Sequence, residues 1–343
     1  MVRLGDQRKC EAEMNIYATL YDNQKEKAYD ISEVISNLEI TTHIQDDPGK
    51  ATFDLIKCDD IAFWEGATVS IKIDGYKMFR GFVFAKKQTE DENIISVTCY
   101  DQLRYLKNKD SYVFENMTSD QIFAKICKDF VLKYKVVDKS DYKCAPRSND
   151  ATALYEMMKT ALDDTLIHTR QWYIIRDNYG VLEHINVYSL QAGIMLGDAS
   201  GITGFTYETS IDKDTYNQIK LYRDNDKTGK REIFIVNDTI NGGKKLKSWG
   251  ILQLYEKVDE NLNTAQIEQK ARGMLKLYNN TKRSLKLDAI GAPNVCAGSI
   301  FKCSIEGLDN LPLNSYLLVT QCSHKIDNGV HTMSLTTEVV NNG

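Results

Sequence analysis

Cys322, His324 and His331 are the strongest candidates for chemistry in this sequence, because a thiol and two imidazoles can form a Cys-His nucleophile or most of a zinc site. The two histidines flank the turn Asp327-Asn-Gly329, so a hairpin brings them together. Their spacing is neither helical nor Cys-x-x-Cys, and cross-strand histidine pairs ordinarily serve structure, so a structural hairpin is expected. Asp224-Asn-Asp226-Lys-Thr228-Gly229 opens like a calcium loop, yet its twelfth position is Ile235, where a bidentate Glu is needed; a hairpin tip is expected. Asn241-Gly-Gly-Lys-Lys245 lacks the frame of a phosphate loop and reads as a surface loop. The pairs Asp46-Asp47, Asp59-Asp60 and Asp163-Asp164 are sequence neighbours that point apart, which suits turns and a helix's wet face. His43, His168 and His184 stand alone. No serine elbow, dinucleotide fingerprint or metalloprotease pair occurs, so no catalytic, cofactor-binding or metal-ligating residue is assigned and no cofactor is expected.

The rest of the composition bounds the class. A chain of 343 residues exceeds one ordinary core, and 42% hydrophobic with 27% charged residues is that of a globular protein of two or three domains. A net charge of −5 supplies no basic footprint, so specific nucleic-acid binding is excluded. No apolar run reaches membrane-spanning length and the start lacks a secretory pattern, so cytoplasmic synthesis without membrane insertion is expected. The eight cysteines contain no Cys-x-x-Cys and are read as reduced core thiols.

The elements that carry these residues are mostly strands. Ile16 to Leu20, Leu38 to Thr42 and Ala51 to Ile56 alternate, and then Gly66 to Gly75 spells a strand into the type I′ turn Asp74-Gly75. Gly298 to Gly307 spells the same pattern again. Each copy is followed by an aromatic-bearing strand (Phe79 to Ala85; Tyr316 to Thr320) and a third alternating strand (Ile94 to Cys99; Thr332 to Thr337). The chain is therefore expected to contain one β unit twice, an arrangement that lets three chains imitate a ring of six. Gly81 inside a strand predicts a bulge or a close backbone approach. Between the copies the period turns helical: a capping box at Thr118-Ser-Asp-Gln121 opens a helix, and a second runs from behind Asp150 to about Ile167. A hairpin follows around Asn178-Tyr179-Gly180. A further hairpin spans Asp224 to Arg231. A helix capped by Asn263 buries Ile267, Ala271, Met274, Leu275 and Tyr278 against a barrel flank or seam.

These pieces, in this order, resemble the central hub protein of contractile phage tail baseplates, in the version of PBSX-type prophages and tail-like bacteriocins. The resembling residues are Arg80-Gly81-Phe82-Val83, Val97-Thr-Cys99-Tyr-Asp101 with Leu103 and Tyr105-Leu106, and Gly250-Ile-Leu-Gln253 with Ala271 and Leu275. Ala297-Gly298-Ser299, His324 and Gly329-Val-His331-Thr-Met333 complete them. The likeness runs from Leu38 to Val340, with Val136 to Asp150 unmatched. It implies a mainly β chain with two tail-tube-like β-barrels separated by a small α+β domain: 1–108, 109–198, and 199–343 with a flanking helix. It implies a homotrimeric, non-enzymatic symmetry adaptor, part of a tail particle, between the sixfold tail tube protein and the threefold central spike protein. Baseplate wedge proteins and the tape-measure protein are further implied partners. Subunit contacts are expected to cover part of Phe79, Phe82 and Phe84, and Glu90-Asp-Glu92 to form a lumen or rim element or a plain turn. The competing readings are a tail-associated wall hydrolase built on Cys322, His324 and His331, and an adaptor of a contractile secretion apparatus.

Overall fold

The structure, a computed structural model, describes residues 14–45, 47–88, 93–197, 201–225, 229–260, 262–306 and 315–339. Asp46, Asp226, Thr228, Gly307, Cys10 and the Glu90-Asp-Glu92 turn lie outside them.

Alternation of apolar and polar residues gives seven strands in the first part: β1 (Ile16–Asp22), β2 (Lys27–Asp30), β3 (Ile35–His43), β4 (Lys50–Ile56), β5 (Thr68–Ile73), β6 (Tyr76–Gln88) and β7 (Ile94–Tyr100). They pair antiparallel in the order β2-β1-β5-β6-β7-β4-β3. Asp74 and Gly75 carry φ of 49° and 81°, the positive values of the expected type I′ turn. Gly81 is the expected close approach, since a Cβ there would lie 2.3 Å from the Tyr100 carbonyl oxygen.

The middle of the chain supplies β8 (Lys109–Phe114), α1 (Ser119–Asp129), β9 (Tyr134–Val136), β10 (Arg147–Ala153), α2 (Leu154–Thr169), β11 (Tyr173–Asp177) and β12 (Leu182–Asn186). The capping box at Thr118 and Gln121 starts α1 as its sequence requires. Ile122, Phe123 and Ile126 of α1 meet Leu154, Met157, Met158 and Ala161 of α2 in a core of their own.

Six strands build the second β unit: β13 (Gln191–Gly197) and β14 (Ile202–Ser210), then, after an excursion, β18 (Lys282–Ile290), β19 (Ile300–Ser304), β20 (Ser315–Asp327) and β21 (Val330–Val339) continue it. The excursion holds β15 (Gln218–Asn225), β16 (Lys230–Asn237), α3 (Lys244–Trp249), β17 (Gln253–Lys257) and α4 (Thr264–Tyr278). Its strands form a separate sheet, β16-β15-β17, over which α4 lays Ile267, Ala271, Met274 and Leu275. The 199–343 segment expected as one barrel is thus divided, and the α4 stripe covers this small sheet instead of a barrel flank. The unit also begins earlier than position 199, because β13 pairs in parallel with β19.

The second unit runs β13-β19-β20-β21-β18-β14, which repeats β1-β5-β6-β7-β4-β3 position for position. Val69, Ile71 and Ile73 point into the first core, and Phe301, Cys303 and Ile305 into the second; all six are at most 4% exposed. Burial of each such side chain is worth about 1.5–3 kcal/mol, so each unit is held by its inner face. Among the described residues no helix is long and apolar enough to cross a membrane.

Candidate functional site

The cysteine–histidine group forms as the hairpin reading requires. β20 and β21 bring His331 Nε2 to 2.9 Å from His324 Nδ1, while His324 Nε2 lies 2.8 Å from the Val295 carbonyl oxygen. A carbonyl only accepts, so Nε2 carries the proton and Nδ1 accepts from His331. Cys322 Sγ is 3.2 Å from that same protonated Nε2, which has no lone pair left to take the thiol proton. Burial pushes the Cys322 thiol well up and pulls His324 down to about 4, assisted by the neighbouring His331. Both are sealed from solvent, at 0% and 2% exposure. The group is a neutral, internally satisfied hydrogen-bond chain, and among the described residues no three Cys, His, Asp or Glu side chains could hold a metal ion.

The other sequence candidates scatter. Asp59 and Asp60 are exposed turn residues, and Asp47 meets Lys107 at 2.8 Å. Asp163 sits on the wet face of α2 with Lys159, as expected, but Asp164 does not. It is buried between Arg147 and Lys270, and so ties α2 to α4. Sequence reading also missed Asp101 and Asp177, distant in the chain and adjacent in space. Burial and their mutual repulsion raise Asp101, and burial pushes Asp177 up to about 6; the Gly49 and Leu103 N–H groups on one, and Gly180 and Gln102 on the other, oppose this. His184, one of the lone histidines, is buried against Ser119 and the Asp138 carbonyl.

What the fold does build from both repeats is a seam. In the first unit Gly66 N–H donates to Val83 O (2.8 Å) and Val83 N–H returns to Ala67 O (2.9 Å). In the second, Gly298 N–H donates to Val319 O (2.8 Å) and Val319 N–H returns to Ser299 O (2.9 Å). The two glycines have φ of 87° and 90°, which an L side chain adopts only under strain. One residue after each valine, at Phe84 and Thr320, the long strand carries an unpaired extra residue. Beyond that bulge β20 leaves β19 and pairs with β3 from the first unit: Gln321 opposite His43, Ser323 opposite Thr41, His324 opposite Ile40 and Ile326 opposite Leu38. Ser323 Oγ lies 3.2 Å from Thr41 Oγ1 and donates to Glu39 (3.0 Å), and Ala297 N–H donates to Thr42 (3.0 Å). Through this seam thirteen strands of the described residues become one sheet.

Phe82 and Phe84, expected in part to meet a subunit contact, are half-buried by aromatic neighbours within the chain. Tyr105 lies edge-on to Phe82 at 5.8 Å, Tyr100 edge-on to Phe84 at 5.4 Å, and Arg104 sits over Phe84. Phe79 faces the core.

The YQBQ-like family pattern matches residues 38–338, which spans the seam, the second β unit and the first unit from β3 onward. The chain belongs to the YQBQ-like family. It is 32% identical over 285 residues to the phage-like element PBSX protein XkdQ of Bacillus subtilis (strain 168), covering 79% of this chain and 81% of that one. It is 31% identical over 280 residues to the uncharacterized protein YqbQ of the same strain, covering 79% and 80%. Its fold is that of the 43 kDa tail protein of prophage MuSo2 from Shewanella oneidensis, with a TM-score of 0.68 at 15% identity, over 94% of this chain and 98% of that one. The sequence resemblance named PBSX-type prophages, and one relative is a PBSX element protein; the fold is shared with a prophage tail protein.

Proposed function

We propose that this member of the YQBQ-like family is the hub of a contractile-tail baseplate, a homotrimer joining a sixfold tail tube to a threefold spike. The observation that carries the reading is the doubled frame at Gly66–Val83 and Gly298–Val319, fused by the β3–β20 seam. A chain that presents the same unit twice lets three copies offer six equivalent positions on one side while keeping a threefold axis for the other. In this reading the tube protein, spike, wedge proteins and tape-measure protein are partners, and the protein works inside a tail particle after synthesis in the bacterial cytoplasm. It needs no catalytic group: Cys322, His324 and His331 brace a hairpin. The phage-tail arm is taken over a secretion apparatus because a relative at 32% identity is a PBSX element protein.

The test is deletion in the strain that makes the particle. Tubes lacking spike and baseplate are expected, rescued by the wild-type chain and by the Cys322→Ala/His331→Ala variant. Complete particles formed without the chain overturn the hub role. Failure of the variant to rescue, despite normal folding, favours the hydrolase.

A further inference from the structure

The doubling that fuses the two units also leaves one half of a second seam empty. By register, Val319 corresponds to Val83, so Gln321, Cys322, Ser323 and His324 of β20 correspond to Ala85, Lys86, Lys87 and Gln88 of β6. On β20 these residues hold β3. On β6 the same side carries no strand among the described residues, because β5 ends its pairing at Phe82. Likewise β3 corresponds to β14. Ala51 lies opposite Cys99 and Leu285 opposite Thr337, so their partners Ile40 and Tyr207 match, and with them Thr41 and Glu208. β3 is held on both sides, whereas β14 pairs only with β18 and ends the described sheet. Among the described residues the chain therefore carries a free donor edge and a free acceptor edge of the type already joined inside it.

We propose that β14 of one copy adds to the free side of β6, residues 85–88, of a second copy of this chain, in the register of the internal seam. Transferring that register puts Glu208 opposite Lys87, where the internal seam puts Thr41 opposite Ser323. Both charged residues are exposed on the single chain, and their signs are complementary. Tyr207 adds a second observation: it matches Ile40, which is 1% exposed opposite His324 in the internal seam, while Tyr207, which the same register places opposite Gln88, is only half-buried on the open edge. A contact that runs from one unit to the other kind is heterologous, so repeated copies form a ring when the rotation closes. The inference rests on the hub reading and names the surfaces that reading leaves open.

The experiment mixes Lys87→Cys chains with Glu208→Cys chains, Cys58→Ser in both, under mild oxidation, with the mass of the same sample read in parallel. A covalent dimer present in the mixture and absent from either variant alone is expected, because directly opposed antiparallel residues bring their Cβ atoms to about 4.5–5.5 Å. Charge reversal gives a second reading: Lys87→Glu and Glu208→Lys each weaken assembly, and the two together restore it. An oligomer that gives neither the disulfide nor the rescue overturns the edge pairing while leaving the hub standing. A protein monomeric across the whole concentration series overturns the self-assembly on which both rest.

Discussion

The two β units share a frame and differ in what has been added to it. Each has a left-handed glycine bonded to a valine, a bulge one residue later, and six strands in one order. The first is nearly continuous in sequence and closes its flank with β1 antiparallel to β5. The second is interrupted by residues 211–281 and takes β13 in parallel with β19. A parallel partner cannot arrive by a tight turn, and here the connection from β13 to β19 runs through β14, the excursion and β18. The shared frame therefore marks what joining units requires, and the differences mark where other parts attach.

If the units are equivalent, equal damage at matched core positions should cost alike. Phe53 and Leu287 occupy corresponding places on β4 and β18 and are each 2% exposed or less. Phe53→Ala is expected to lose about 3–5 kcal/mol and Leu287→Ala about 2–5 kcal/mol, read by urea unfolding. A near-neutral result at one site alone breaks the equivalence. Asp164→Ala attacks what neither β unit has, a carboxylate of α2 buried between two cations, and should cost about 3–5 kcal/mol by leaving Arg147 and Lys270 without their shared anion. Thermal unfolding with Asp163→Ala as the nearly silent control measures it.

Acid separates the units next. His324 has no counterpart histidine in β6, where Gln88 takes its place. Its folded value is depressed to about 4, so its contribution is complete above the unfolded range near 6.5 and is lost as pH falls towards 4. That is about 3 kcal/mol at most, and His324→Gln should flatten this limb of the stability profile. Asp101 and Asp177, raised by burial, act in the opposite sense at the junction of the first unit: their contribution is present below the ordinary carboxylate range and is lost as pH rises through about 6. A profile with only one of these limbs contradicts the assignment. The smallest effect distinguishes the two glycines. Ala at Gly66 meets only the left-handed penalty of about 1–2 kcal/mol, because nothing lies within 4 Å of its Cβ position. Ala at Gly298 meets the same penalty plus Ile174 at 2.7 Å, so it should cost more in the same assay.

Period and turn chemistry made much of this readable beforehand. Asp74-Gly75 and Asn328-Gly329 declare hairpins, the capping box at Thr118 and the N-cap at Asn263 declare helices, and the Gly66 and Gly298 patterns declare the repeat. Partnership was less legible, because alternation says that a segment is a strand and not which strand it joins. So β13 was assigned to the module before it, and β15 to β17 to a barrel they do not enter. Buried charge was least legible: Asp164 looks like its neighbour Asp163 until Arg147 and Lys270 arrive from other elements, and the Asp101–Asp177 encounter needs the whole fold. Cys322 and His324 were legible as neighbours, but the proton on Nε2 that disqualifies the base depends on a carbonyl at Val295.

Imaging a purified tail particle that contains this chain tests the central claim most directly. The account predicts a ring of six β units contributed by three chains, alternating first and second unit around a threefold axis beneath the tube. Six copies in that ring, or two units of one chain facing unrelated directions about the axis, would contradict it.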